Sequence, residues 1–255
     1  MFKNLLMKPI RLFLFALCST LFINAQDDSK AEDTPKTPEL VLIFSKTTGY
    51  RHESIEKGVR TLRQLGRENG FIVLQTETSS DFNPQNLKNY KLVVFLSTTL
   101  EVLNDTQQAA FENYIKGRGS FLGIHAAADT EYDWTWYGKL VGGYFDSHPP
   151  GVHEAKIEVV DKEHSSTVHL SDSWMRTDEW YNYKNLNPNV SVLLNLDEKT
   201  YKGGTNGENH PIAWYHEFDG GRAFYTGGGH TETSFDEPDF RQHLLGGIEW
   251  CLGRK

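Results

Sequence analysis

Ser120-Phe-Leu-Gly-Ile-His-Ala-Ala-Ala-Asp129 is the stretch whose reading decides the fold. A short apolar run, Phe121 to Ile124, breaks abruptly into small residues, with one polar side chain at the break. A strand buried on both faces reads as such a run, and a sharp turn into a helix needs small residues just beyond it. The elbow lifts its apex residue above the carboxyl edge of the sheet, where nucleophiles sit in α/β enzymes. The apex residue here is His125, neither Ser nor Cys. Neutral imidazole is a poor acyl-transfer nucleophile, a good base and the commonest metal ligand.

Working outward, Glu39 to Ser45 is a second continuous apolar run and predicts a buried strand. Ile55, Val59, Leu62 and Leu65 recur at helical spacing within Glu53–Asn69, and Gly70 ends that helix. Phe71–Leu74 and Lys91–Leu96 read as further strands, and Asn104-Asp-Thr-Gln107 as a capping box opening a helix to about Lys116. This alternation predicts an open, largely parallel sheet with helices on both faces, binding ligands above the carboxyl ends of its strands. The loops at 47–52, 98–103 and 125–132 fall there. Later runs at Ala155–Val160, Val190–Leu196, Ile212–Tyr215 and Arg222–Tyr225 predict an antiparallel extension, closed by a helix over Asp236–Leu252. No internal repeat appears, so a single domain over residues 39–253 is the economical reading.

The amino terminus reads differently. Lys3, Lys8 and Arg11 precede an apolar run from Leu12 to Ile23, which ends in Asn24-Ala25. That order is a secretory signal peptide over residues 1–25, too short in its apolar core to span a bilayer comfortably. Residues 26–38 are polar, charged and carry two prolines, the composition of a disordered lead-in. Cleavage after Ala25 removes three basic residues and no acid, taking the formal charge from −8 to −11. So acidic a chain without a basic cluster is a poor partner for nucleic acid. Cys251 alone remains, so no intramolecular disulfide forms despite the exported address. The expected location is periplasmic or extracellular, without stable membrane insertion.

Chemistry concentrates in histidine: ten, all beyond the signal. His52 follows Gly49-Tyr-Arg, His125 sits at the elbow, His148 lies in Asp-Ser-His-Pro, and His230 follows three glycines, Gly227 to Gly229. A strand opening into three glycines lets backbone approach a ligand closely. Asp178-Glu-Trp-Tyr181 adds a carboxylate pair beside aromatics. Histidines with a carboxylate suit Zn²⁺ with an open position, and the same set without metal suits acid/base work on a polar substrate. The spacing does not choose between these, for there is neither His-Glu-x-x-His nor Cys-x-x-Cys. His153, His164, His169, His216 and His243 read as structural; Asp129 reads as either a helix cap or a partner holding a histidine.

Six ordered motifs carry a resemblance: Phe44–Ser54 (FSKTTGYRHES), Gly123–Asp129 (GIHAAAD), Leu140–His148 (LVGGYFDSH), Asp178–Tyr181 (DEWY), Pro211–Trp214 (PIAW) and Gly221–Thr231 (GRAFYTGGGHT). Together they resemble the ThuA-like, trehalose-utilisation family over about Glu39 to Gly253. The resemblance implies an α/β, flavodoxin-like three-layer sandwich of the class I glutamine amidotransferase-like type, without the cysteine nucleophile. It implies carbohydrate catabolism, often through 3-keto-sugar intermediates, and no nucleotide cofactor. It places His52, His125, His148, Glu179 and His230 around the pocket.

The leading expectation is therefore a secreted enzyme acting on a disaccharide or 3-keto-glycoside by hydrolysis, elimination or isomerisation. His125, His230 and Glu179 are its candidate catalytic residues. His52, His125, His148 and His230 are the candidate ligands of a divalent metal, zinc first. Tyr181, Trp134 and His210 are the candidate sugar contacts. The alternatives are a non-catalytic carbohydrate-binding or sensing module on the same scaffold, and a metal-dependent amide or ester hydrolase. Amidotransferase activity is excluded, because no cysteine occupies the elbow and Cys251 lies in the final helix. If the signal reading is right, amino-terminal sequencing of the exported protein begins at Gln26. A protein retaining Met1 to Ala25 after export would sink it.

Overall fold

The computed structural model describes Met1 and residues 37–254. Apart from Met1, the signal peptide expected over 1–25 lies outside the described residues, as does the lead-in up to Lys36. The first half follows the expected alternation: β1 (Glu39–Phe44), α1 (Ile55–Asn69), β2 (Phe71–Thr76), α2 (Pro84–Leu87), β3 (Leu92–Leu96), α3 (Asp105–Lys116) and β4 (Ser120–Ile124). Helix α1 ends where Gly70 takes a left-handed φ of 70°. Helix α3 begins with the reciprocal capping box of Asn104 and Gln107. The short α2 has local causes too: Asn83 caps it by accepting the Asn86 N–H at 3.0 Å, and Pro84 presets its first turn.

The second half holds α4 (Thr135–Val141), β5 (Tyr144–Ser147), β6 (His153–Val159), β7 (Ser173–Asp178), β8 (Asn182–Lys184), β9 (Ser191–Leu196), β10 (Pro211–Phe218), β11 (Gly221–Thr226) and α5 (Pro238–Cys251). Among the described residues, nine strands form one sheet in the order β2-β1-β3-β4-β11-β10-β9-β6-β7, while β5 and β8 form a separate ribbon. Pairing is parallel from β2 to β11 and antiparallel beyond it. The apolar run Arg222–Tyr225 reads as part of the antiparallel extension, yet β11, which contains it, pairs in parallel with β4 and antiparallel with β10. It is the junction of the two halves, and its carboxyl end lies beside the elbow.

Helices cover both faces. Phe95 of β3 stacks on Phe111 of α3, with ring centroids 5.4 Å apart. Its neighbour Leu96 points the other way, toward Gly58 of α1. Side chains alternate across a strand, so α1 and α3 lie on opposite faces. Helix α5 joins α1, and a Cβ on Gly247 would lie 2.8 Å from the Phe224 ring of β11. No helix among the described residues is long and apolar enough to cross a membrane.

Several histidines serve this packing. His243 of α5 is fully buried against Trp174, Phe224 and Phe240. Its Nδ1–H donates to the Ser166 carbonyl at 2.9 Å, while Nε2 is buried without a hydrogen-bond partner. A second proton would bury a charge that nothing accepts, and burial pushes the imidazole down to about 3. The neutral ring is favoured in the fold, so its stability share is complete above pH 6.5. The share is lost as pH falls, because the unfolded chain takes up a proton that the native state refuses. Stability is expected to fall by up to about 1.4 kcal/mol per pH unit below pH 6.5 through this group. His243→Gln, which keeps a donor for Ser166, should flatten that slope in urea unfolding between pH 7 and pH 4. Parallel slopes in variant and wild type would remove His243 from the account.

Candidate functional site

His125 occupies the elbow with a left-handed φ of 51°, a conformation that costs a non-glycine residue about 1–2 kcal/mol. Local bonds hold it there. Its carbonyl accepts the Tyr225 hydroxyl at 2.8 Å, and its Nδ1 lies 2.9 Å from the Gly227 carbonyl. A carbonyl can only accept, so Nδ1 carries the proton and Nε2 presents its lone pair to the pocket. The chain beyond is a short 3₁₀ turn, His125–Ala128, made of small buried residues.

The elbow nitrogen meets side chains from two other strand ends. His125 Nε2 lies 3.2 Å from His230 Nδ1 and 3.4 Å from Glu179 Oε2, and the last two are 3.0 Å apart. His230 arrives from the loop after β11 and Glu179 from the end of β7. His52, from the loop after β1, completes a group of four donors that all lie within 4.8 Å of one another. Its ring stands edge-on to those of His125 and His230, at 4.7 and 5.2 Å. His52 Nδ1 is buried with no hydrogen-bond partner. The lone pair of His125 Nε2 faces a carboxylate oxygen, an arrangement that needs a cation between the two. A proton on His230 Nδ1 or a metal ion meets that need.

The electrostatics follow from this crowding. Burial drives the His52 imidazole down to about 2, helped by the positive charge of His230. It stays neutral, as a ligand must be. Burial alone would raise the Glu179 carboxyl, but the hydrogen bond and positive charge of His230 outweigh it and hold the group well below its ordinary range. Burial likewise opposes the charge on His230, and Glu179 reverses the sign, so the imidazole is raised.

The remaining expected residues stand further out. His148 was expected as a ligand. The structure places it against the other oxygen of Glu179, Nδ1 to Oε1 at 3.2 Å, with the same nitrogen 2.9 Å from the Pro149 carbonyl. It is outside the four-donor group. Tyr181 forms a wall, its ring 4.3 Å from that of His125. His210, expected to touch sugar, is fully buried behind that wall: its Nε2 reaches the Tyr181 carbonyl and its Nδ1 reaches Glu198, each at 2.8 Å. Trp134, also expected to touch sugar, is buried beside Trp136 and Tyr137 and donates to Glu112. Neither is brought to the cluster. Asp129 accepts the Tyr132 hydroxyl at 2.5 Å, and burial raises its carboxyl. Tyr50, which the sequence did not single out, is the exposed ring nearest His52, 4.9 Å away.

The family described as ThuA, trehalose utilisation, matches residues 40–251. The chain belongs to the ThuA family. A solved ThuA-like protein from Bacteroides uniformis ATCC 8492 is 24% identical, covers 87% of this chain and 94% of its own, and superposes with a TM-score of 0.72. One from Parabacteroides merdae ATCC 43184 is 20% identical over 86% and 91%, with a TM-score of 0.70. A cytoplasmic protein from Salmonella typhimurium is 12% identical over 84% and 98%, with a TM-score of 0.59. These three share the fold. No curated protein matches the chain. The family's description supports a carbohydrate-related role.

The glycine run of this ThuA protein has a different cause from the one its sequence suggests. A Cβ on Gly227 would lie 2.3 Å from the Tyr183 hydroxyl, and one on Gly228 would lie 2.2 Å from Arg176 Nη1. Gly229 has a φ of 111°, outside the range of other residues. The close approach is to the protein's own side chains. Arg176 cannot swing aside, because it is buried and paired with Asp178 and Glu237. Gly228→Ala is therefore expected to destabilise the fold by about 1–3 kcal/mol in urea unfolding. Wild-type stability in that variant would show that the loop yields freely.

Proposed function

We propose that this protein is an exported, metal-assisted enzyme of carbohydrate breakdown whose substrate is a 3-keto-glycoside. One observation carries the reading: the triangle of His125 Nε2, His230 Nδ1 and Glu179 Oε2, with edges of 3.2, 3.4 and 3.0 Å. Donors placed tetrahedrally around Zn²⁺ at its usual bond lengths stand about 3.3 Å apart. Two imidazoles and a carboxylate are also a donor set of catalytic zinc sites that keep an open position. The partnerless Nδ1 of His52 fits the same reading, since a buried polar atom without a partner is costly. His125, His230 and Glu179 would hold the ion, with His52 beside them. A divalent ion bound there supplies Lewis-acid polarisation of a sugar oxygen.

The chain's own residues supply the proton transfers. A 3-keto group acidifies the neighbouring C–H, so a single base starts the reaction. His148 Nδ1 faces two acceptors, the Pro149 carbonyl and Glu179 Oε1, and so carries a proton. Its Nε2 keeps a lone pair, and the side chain is partly exposed. In this reading Nε2 takes the proton from the carbon between the ketone and the anomeric centre. The electron pair left behind expels the glycosidic oxygen, and the imidazolium returns a proton to it. The Tyr181 ring walls the pocket beside His125 and limits water there. The targeting signal read in residues 1–25 belongs to the same proposal.

The test is metal content and turnover together. Wild type purified in zinc-supplemented medium is expected to hold about one equivalent of metal and to cleave 3-keto-glycosides until a chelator is added. His125→Ala should lose both. His148→Ala should keep its metal and lose about 10²–10⁴-fold in kcat. Sugar binding without turnover would favour a binding module on the same scaffold. A folded protein that neither binds sugar nor holds metal would overturn the proposal.

A further inference from the structure

We infer that Asp178 is a positioning residue for this cluster: its buried carboxylate clamps the main chain of Glu179 and His230 and so sets the separation of their side chains. The inference rests on the reading of the cluster as a metal centre, and its test separates the two.

Asp178 is fully buried at the end of β7. Its oxygens divide their work. Oδ1 accepts the backbone N–H of Glu179 at 3.0 Å and of His230 at 3.1 Å. Oδ2 accepts the N–H of Gly229 at 2.8 Å and the Ser234 hydroxyl at 3.0 Å, and faces Arg176 Nη2 at 3.0 Å. Five donors thus converge on a group with about four lone-pair sites. β7 is the last strand of the sheet and β11 is four places away, so no ladder bond joins them. The shared oxygen makes that link. From the two residues whose amides meet on Oδ1, the side chains run outward and meet again, Glu179 Oε2 to His230 Nδ1, at 3.0 Å.

A plain ion pair explains less. Arg176 already has Glu237, whose Oε2 lies 3.0 Å from its Nε, and its guanidinium lies over the Phe240 ring at 4.4 Å. That holds the arginine on α5. It gives no reason for Oδ1 to receive the amides of two cluster residues and nothing from the arginine. The clamp accounts for both oxygens: the arginine side fixes the carboxylate, and the fixed carboxylate places the ligands. A main-chain acceptor shared in this way also leaves Glu179 and His230 little freedom to drift apart when the site is empty, which lowers the ordering cost of binding.

The variants Asp178→Asn and Glu237→Gln separate the clamp from the ion pair. Asparagine keeps the volume but brings its own N–H₂ to a place already full of donors. In crystals of the metal-free proteins, the Glu179–His230 contact is expected to open by about 1 Å in D178N and to stay closed in E237Q. In competition titrations of Zn²⁺ against a chromophoric chelator, D178N is expected to bind about ten- to a hundredfold more weakly than wild type. E237Q should stay within about twofold. A closed contact in D178N overturns the inference whatever the metal does. Wild type that takes up no Zn²⁺ overturns the metal reading alone, and the crystals still decide the clamp. Should D178N fail to fold, Ser234→Ala takes one donor from the same carboxylate and leaves Arg176 in place. There a widened contact and a loss of about threefold in Zn²⁺ affinity are expected, and wild-type behaviour overturns the inference.

Discussion

A carboxylate taken fully out of water must be surrounded by donors or it unfolds what holds it. Asp178 meets that demand with one backbone amide from its own strand end, two from the loop after β11, a hydroxyl and a buried guanidinium. Much of the site's shape follows from that arrangement. The loop after β11 presses onto Arg176 and the Tyr183 hydroxyl, and for this it needs glycine. Glu179, the next residue after the buried carboxylate, then faces His125 and His230. Ser54, just before α1, donates to the Gly229 carbonyl at 2.9 Å and ties the loop that carries His52 to the same place. Four strand ends are thus joined at one edge of the sheet.

The elbow answers a second constraint. A parallel strand that ends in a pocket leaves its last polar groups without ladder partners. At His125 these groups find the Tyr225 hydroxyl, and the ring finds the Gly227 carbonyl. The same bonds that offset the left-handed backbone choose the tautomer, and the tautomer decides which nitrogen can ligate or accept a proton. Backbone strain and imidazole chemistry are set by one group of contacts. In many α/β enzymes this geometry presents a nucleophile; with imidazole at the apex it presents a lone pair beside a carboxylate.

Much of this was legible in the sequence because its signals are local. Continuous apolar runs marked β1, β3 and β4, the Asn104–Gln107 pair marked the start of α3, and Gly70 the end of α1. The strand that carries Glu179 left no such signal. In β7 the residues that alternate inward are Trp174, Arg176 and Asp178, so two of its three buried positions are charged and the apolar alternation disappears. Trp134 and His210, read as sugar contacts, stand away from the cluster, and the sequence carries no sign of it. An aromatic or an imidazole next to a motif has the same letter whether it faces the cluster or supports the wall behind it, and only its partners in the fold tell the two apart.

By itself the sequence determined the alternation of strands and helices, the elbow with His125 at its apex, the absence of a thiol there, and the family to which the motifs belong. These depend on residues close together in the chain, where hydrophobic period and turn chemistry act directly. Only the tertiary structure decided which histidines meet. His52, His125, Glu179 and His230 come from the ends of β1, β4, β7 and β11, and their convergence depends on how the antiparallel half brings β7 back to the carboxyl edge. It also decided that His148 faces the second oxygen of Glu179 and that Asp178 holds its neighbours by their backbone. Distances of about 3 Å between residues many positions apart are products of packing, and no spacing in a linear sequence encodes them.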